Sequence, residues 1–332
     1  MKAGIKIVAS VVALVSGIAA TAGVVASASA AEPFPNKPVR IIVPFGPAGI
    51  ADNLPRIVGQ RLSEQWGVPV IVENRAGAAG NIGMEAGARA APDGYTLTLA
   101  PSGNLTVNPL LFPKLTFNTA KDLSPVTVLA TSPNVLVVNA SLPVKTMPEL
   151  ISYAKANPGK LNYSSPGTGT GAHLAGELLN ISAGIDAVHV PYNAMASAVN
   201  DVLSGQVQMM FAGVSTIVQH VQSGRLRALA VAGPKRLAVL PDVPTVIESG
   251  YPGFDVTSWY GLVIPSATPP AIVQKLQQDI AGVLKQDDIK AKFAAMGVDP
   301  LGNTPAEFGR MIQVETKKWT DIVRQANIQP LE

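Results

Sequence analysis

Two short stretches carry the residues best placed to do chemistry. In "VPFGPAGIAD" (43–52) and "NYSSPGTGTGAH" (162–173) an extended run ends in a glycine-rich turn and passes straight into helix-forming sequence. At such a turn several backbone N–H groups lack intrahelical acceptors, and the aligned peptide dipoles add partial positive charge. An anion is stabilised there without any lysine or arginine. The same grammar also serves as plain turn geometry, since glycine reaches positive φ without steric cost. Neither turn is a nucleotide fingerprint. Gly46 is not followed by the GK[ST] ending of a P-loop, and Gly167, Gly169 and Gly171 give G-x-G-x-G, so ATP and NAD do not fit.

Catalytic constellations are scarce. His173 and Glu177 lie at i, i+4 on a predicted helix, a spacing that can serve a metal, but no second motif accompanies them. A histidine in a helix's first turn is equally suited to orienting the preceding loop, so no metal or other cofactor is expected. Ser164 and Ser165 precede a helix as a nucleophile would, yet G-x-S-x-G is absent there and around Ser215. A serine hydrolase using Ser165 and His173 stands as the enzymatic alternative to a binding protein. His189 and His220 read as ordinary strand and helix residues, and Trp66 and Trp319 as core.

The elements that position these turns alternate between strand and helix. "VRIIVPF" is a continuous apolar run suited to a strand buried on both faces, followed by "LPRIVGQRLSEQW" with Leu54, Val58 and Leu62 at helical spacing. Pro55 belongs in a helix's first turn, which sets a start near Asp52. "VPVIVEN", "GNIGMEAGARAA" and "YTLTLAP" continue as strand, helix, strand. Thr146 and Glu149 predict a capping box opening the next helix. "KLNYSS", "AHLAGELLNISAG", "AVHVPY", "SAVNDVLSG", "VQMMFAG" and "LRALAVAG" then form a second α/β unit, and after "VTSWYGLVIP" the chain is helical to its end, with Thr304 and Glu307 as a second capping box. The pattern predicts an α/β fold with a mainly parallel sheet, and terminal helices packed back on the first sheet. Ligands of such sheets sit at the carboxyl ends of strands, so two facing turns would clamp an anion between two lobes.

Composition narrows the setting. The chain has 332 residues, 47% hydrophobic and 14% charged, enough for one large core or two moderate ones. Lys2 and Lys6 precede an apolar run from Ile7 to Ala20 and then "ASASAAE", the pattern of a secretory signal peptide over residues 1–31. Removing those two lysines takes the formal charge from +3 to +1, so the basic balance does not point to nucleic acid or anionic membranes. With no cysteine there are no disulfides, thiol nucleophiles or cysteine–zinc sites. An exported chain of this kind is expected in the periplasm.

Seven ordered motifs carry a resemblance: "FPNKPVRIIVPFGPAG", "VIVENRAGAAGNIGMEAGARAAPDGYTL", "KLNYSSPGTGTGAHLAGELL", "HVPYN", "LRALAVAGPKR", "LPDVPTVIESGYPGF" and "WYGLVIP". Across essentially the whole mature chain it resembles the Bug-type receptors, the periplasmic solute-binding proteins of tripartite tricarboxylate transporters. The resemblance implies a two-lobed periplasmic binding protein type II fold with the ligand cleft between lobes, residues 32–131 plus 251–332 forming lobe 1 and residues 132–250 lobe 2. It implies a monomer that binds a small organic carboxylate through backbone amides and delivers it to membrane transporter subunits. Carried over position by position, the first turn supplies Phe45, Gly46, Pro47, Ala48, Gly49 and Asp52, joined by Ser102, Gly103 and Asn104. The opposing turn supplies Ser164, Ser165, Thr168, Gly169 and Thr170 with His173 behind, and Tyr192 and Asn193 line the far wall.

The departures from the family are informative. After "HVPY" the family commonly has a basic residue, glycine and a small residue, where this chain has Asn193, Ala194 and Met195; after "MF" it commonly has aspartate, where Ala212 stands. Both changes remove charge, which favours an aromatic or aliphatic acid over an amino acid as ligand. A receptor serving a sensor kinase is a further alternative.

Overall fold

The computed structural model describes residues 34–47, 49–192 and 194–331. The signal-peptide reading at residues 1–31, together with Ala48 and Asn193, lies outside the described residues.

The described chain opens with β1 (Val39–Val43), α1 (Ile50–Trp66), β2 (Val70–Asn74), α2 (Asn81–Ala88) and β3 (Thr96–Pro101), with β1 pairing in parallel with both β2 and β3. Val39, Ile41, Ile42 and Val43 are each at most 1% exposed, as a strand covered on both faces requires. Leu54, Val58 and Leu62 lay one stripe of α1 on this sheet, and Gly67 at φ 68° ends the helix, its N–H donating to the Ser63 carbonyl. The helix begins at Ile50, earlier than Pro55 suggests. Pro55 therefore sits at its sixth position, where the ring is buried and the Ala51 carbonyl forgoes its amide partner.

Three short helices follow, α3 (Ser102–Thr106), α4 (Asn108–Leu111) and α5 (Thr119–Asp122), and then β4 (Leu123–Asn139), a 17-residue strand that organises the molecule. The remaining elements are α6 (Met147–Ala156), β5 (Asn162–Ser165), α7 (Gly171–Ala183), β6 (Val188–Pro191), α8 (Met195–Ser204), β7 (Met209–Gly213), α9 (Val214–Gln222), β8 (Leu226–Ala232), β9 (Thr257–Pro265), α10 (Pro270–Leu284), α11 (Asp287–Ala295), β10 (Asp299–Pro300) and α12 (Pro305–Gln325). From Leu123 to Pro133, β4 pairs antiparallel with β9, and from Asn134 to Asn139 it pairs antiparallel with β7 and β8. It thus leaves one sheet and enters the other. The strand order is β2-β1-β3-β9-β4-β7-β5-β6, with β8 and β10 also on β4. The expectation of a mainly parallel sheet needs correction: parallel pairs flank each end, whereas β4 pairs antiparallel with β7, β8, β9 and β10, and β3 pairs antiparallel with β9.

Alternation along β4 shows how one strand serves two cores. Leu136 and Val138 face the cluster covered by α6 and α7, whereas Val135 and Val137 face the one covered by α8 and α9. The capping box at Thr304 and Glu307 is complete. At Thr146 half of it forms: the hydroxyl accepts the Glu149 N–H, but the Glu149 carboxylate takes the Lys145 N–H instead of the cap's own. Helix α12 does not pack on the first sheet alone. Phe308 joins Trp259 and Val263 there, while Trp319 and Ile322 join the core covered by α6 and α7, and α12 touches both α3 and α7.

Candidate functional site

Strand register brings the carboxyl ends together. Pro101 at the end of β3 lies opposite Tyr260, Tyr260 opposite Ala130, and Gly213 at the end of β7 opposite Asn134. Ala130 and Asn134 are four residues apart on β4, roughly 13 Å of extended chain. β5 runs parallel to β7, and β1 parallel to β3, so all these strands aim their carboxyl ends at the stretch of β4 where it changes sheets. Both glycine turns leave strands of this group.

The first turn is open and its helix start is unspent. Gly46, Pro47 and Gly49 are exposed, and the N–H groups of Asp52 and Asn53 return to the Gly49 carbonyl. Those of Ile50 and Ala51 have no acceptor among the described residues. Asp52 is buried and engaged: its carboxylate accepts from Arg56 Nε and from Asn74 Nδ2 at 2.8 Å. Asn74 also donates to the Phe45 carbonyl, and Arg56 to Asn74 Oδ1, so this trio fixes the base of the turn. The hydrogen bond to Asp52 holds the Arg56 guanidinium above its ordinary pKa.

A third segment, not anticipated from the sequence, joins here. Between β2 and α2, Ala78 and Ala79 adopt φ of 46° and 52°, inside the left-handed region that non-glycine residues avoid. Asn104 and Asn108 both donate to the Ala79 carbonyl. Gly80, at φ 89°, has no room for a side chain, because a Cβ would lie 2.6 Å from Asn104 Nδ2 and 3.1 Å from the Phe45 ring. Phe45, Gly80 and Asn104 therefore form one packed corner. Ser102 and Gly103, half-buried, start α3 beside it.

The second turn is braced from behind. Thr170 caps α7, and its hydroxyl donates to the Gly167 carbonyl at 2.7 Å. Gly169 donates its N–H to His173 Nδ1 at 3.0 Å, which leaves the ring proton on Nε2, 3.7 Å from Glu177 Oε1. Ser165 Oγ lies 2.7 Å from His189 Nε2 and accepts the Gly167 N–H. The His173 and His189 rings stack with centroids 4.0 Å apart, and Tyr163 stacks on His189 and donates its hydroxyl to Glu177. Gly176 lets α7 come this close, since a Cβ there would meet the Tyr163 ring at 2.2 Å. Burial, and then His189, push the His173 pKa down to about 3; burial pushes His189 down to about 4 and holds the Tyr163 phenol far above its ordinary range. All three rings are neutral at ordinary pH.

Several sequence readings need correction on this geometry. His189 is part of the brace, not an ordinary strand residue. Ser164 is fully buried and donates to the Ala198 carbonyl, and Ser165 is also 0% exposed, so neither hydroxyl is presented as a nucleophile. Ala212 is 0% exposed among Val135, Met210 and Val214 and has no surface to offer a ligand. Tyr192 donates its hydroxyl to Asp201, and its N–H to the Ser165 carbonyl. Thr168 is half-buried at the tip of the turn. Among the described residues there is no group of three or more His, Cys, Asp or Glu able to hold a metal. A separate cavity of about 860 Å³ lies between α4, α5 and α12, walled by residues such as Phe112, Phe117 and Ile312, and includes none of the predicted site residues.

Similarity to known proteins agrees with this architecture. Residues 54–328 match the family described as the tripartite tricarboxylate transporter family receptor. BugT of Bordetella pertussis is 37% identical over 307 residues, 92% of this chain and 94% of BugT. An R. palustris protein solved with adipate is 34% identical, with a TM-score of 0.80 over 90% of this chain and all of that one. MatC of Rhodopseudomonas palustris, with bound malate, is 32% identical with a TM-score of 0.74 over 87% of this chain and all of MatC. The fold is that of the periplasmic binding proteins, and this is a family of receptors and not of enzymes. No helix among the described residues is long and apolar enough to cross a membrane. The chain belongs to the tripartite tricarboxylate transporter receptor family, the Bug-type periplasmic solute-binding receptors.

Proposed function

We propose that this receptor binds a small organic carboxylate between its two units and delivers it to membrane subunits of a tripartite tricarboxylate-type transporter. The carrying observation is the convergence of two strand–turn–helix corners on the middle of β4, each with helix N-terminal amides that have no acceptor among the described residues. Phe45 offers an apolar face to the ligand's carbon skeleton, while amides and the residues Ser102 and Thr168 replace hydrogen bonds that the carboxylate leaves in water. Adipate and malate in two relatives are ligands of this chemical class.

An uncharged-bodied acid is preferred over an amino acid. An ammonium taken from water needs an anionic partner. The acidic residue of the first turn, Asp52, is committed to Arg56 and Asn74, and the second turn contains none. Ala212, 0% exposed in the core, takes no part in this preference.

The receptor acts as a monomer whose units, 32–131 plus 251–332 and 132–250, close on the ligand through hinges near Thr131–Asn134 and Gly250–Val256. The last turns of α12 pack with the second unit, so closure carries them along or slides against them. Closure is expected to lower the radius of gyration in small-angle scattering.

A thermal-shift screen of dicarboxylates, aromatic acids and their 2-amino analogues tests the reading. A ligand at about 1,000 times its Kd adds about 4 kcal/mol, on the order of 5 °C for a chain of this size. Stabilisation by an acid but not by its methyl ester is the expected result. Tighter binding of an amino analogue would overturn the preference, and no response to any carboxylate would overturn the ligand class.

A further inference from the structure

We propose that His173 and His189 are positioning residues that lock the second glycine turn from behind, dividing its amides into those held by the protein and those left for a ligand. The inference deepens the reading of this turn as half of the carboxylate site and rests on it for its functional meaning.

The division follows from the hydrogen bonds. Gly167 N–H goes to Ser165 Oγ, Gly169 N–H to His173 Nδ1, Thr170 N–H to the Gly167 carbonyl and His173 N–H to Thr170 Oγ1. The amides of Thr168, Gly171 and Ala172 have no acceptor among the described residues. Gly169, named from the sequence as a ligand contact, is thus not a donor to the ligand. The open donors are Thr168 at the tip and the first two residues of α7.

Each histidine controls one end of the turn. His173 accepts from Gly169 only while its Nδ1 carries no proton. The Ser165 hydroxyl has a single proton for the Gly167 carbonyl at 3.0 Å and His189 Nε2 at 2.7 Å, so His189 either donates to Oγ or accepts from it, and in both cases it holds the oxygen that takes the Gly167 N–H. The stacking of the two rings ties both ends together, and Tyr163 beneath them fixes Glu177 beside His173 Nε2. An imidazole is needed at 173 for its acceptor, not merely for its bulk, which separates positioning from packing.

The test is amide exchange and histidine NMR on the mature chain without ligand. The expected signatures are an unprotonated Nδ1 on His173, a through-hydrogen-bond coupling from it to the Gly169 amide, and slow exchange at Gly167 and Gly169 beside fast exchange at Thr168. His173→Leu should speed Gly169 exchange by about five- to tenfold, the equivalent of one lost hydrogen bond, while His173→Asn, whose Oδ1 can take the place of Nδ1, restores protection. His189→Phe keeps the stack but should speed exchange at Gly167. A protonated Nδ1, or leucine and asparagine variants that behave alike, would overturn the proposal, and the asparagine variant decides the matter if the leucine variant does not fold. Because no ligand is involved, a positive result together with failure of every carboxylate in the thermal screen would sink the ligand reading alone.

Discussion

Asn104 donates its side-chain amide to the carbonyl of Ala79 at 2.9 Å, joining the start of α3 to a loop held in left-handed backbone geometry. Ala78 and Ala79 each carry a conformational penalty of about 1–2 kcal/mol, so the loop persists because its surroundings fix it. Asn108 supplies the second hydrogen bond to the same carbonyl. Removing the Asn104 amide in Asn104→Ala should cost about 1–3 kcal/mol in urea denaturation. Ala79→Gly should stay within about 1 kcal/mol of wild type, since relief of strain opposes the added freedom of the unfolded chain. An Asn104→Ala protein as stable as wild type would mean the loop is held by something else.

Gly169 tests the approach of the second turn to α4. Its φ is 81°, and a Cβ there would lie 2.4 Å from Leu111 Cδ1. Gly169→Ala therefore carries a backbone cost of about 1–2 kcal/mol and a separate steric cost. Leu111→Ala removes the steric cost alone, at the expense of its own cavity. In a double-mutant cycle the pair should be less destabilised than the sum of the single changes by about 1 kcal/mol. Simple additivity would show that the turn and α4 do not press on each other.

Much of the fold was legible because buried strands and amphipathic helices repeat with clear periods, as in "VRIIV" and the Leu54, Val58, Leu62 stripe. The strand that matters most, β4, was not. Pro125 and Pro133 interrupt it, and prolines inside a run argue against a strand. It tolerates them because its register shifts between Pro125 and Thr127 and again before Ala130, and because Pro133 falls at the change of sheets. The two glycine turns were visible from composition. Their bracing was not, because His189 reaches Ser165 across strands 24 residues apart in sequence, and no local pattern encodes that contact. Ala212 was misread for a similar reason: position in a motif does not tell which face of a strand is turned inward. The left-handed alanines at 78 and 79 left no sequence signal beyond the glycines on either side.

Acid should weaken the fold through the stacked histidines. Both have folded pKa values, about 3 and about 4, below the ordinary 6.5, so in the window between them the unfolded chain binds more protons than the folded one. Their neutral state is accommodated in full above pH 6.5, and stability is lost as pH falls from there towards 4, at up to about 1.4 kcal/mol per pH unit for His173 and less for His189, whose partial exposure lets solvent screen its charge. Glu315 runs the other way. Burial raises its pKa against the opposing pull of Lys318 and of the Trp259 N–H that donates to it at 2.7 Å, so the protonated form is favoured in the fold and stability falls as pH rises past the ordinary carboxylate range. His173→Asn isolates the histidine contribution because it keeps an acceptor for Gly169 and leaves Glu315 untouched. Urea denaturation at a series of pH values from 4 to 8 should give a shallower acid slope for this variant than for wild type, and parallel curves would show that the stack does not govern the acid response.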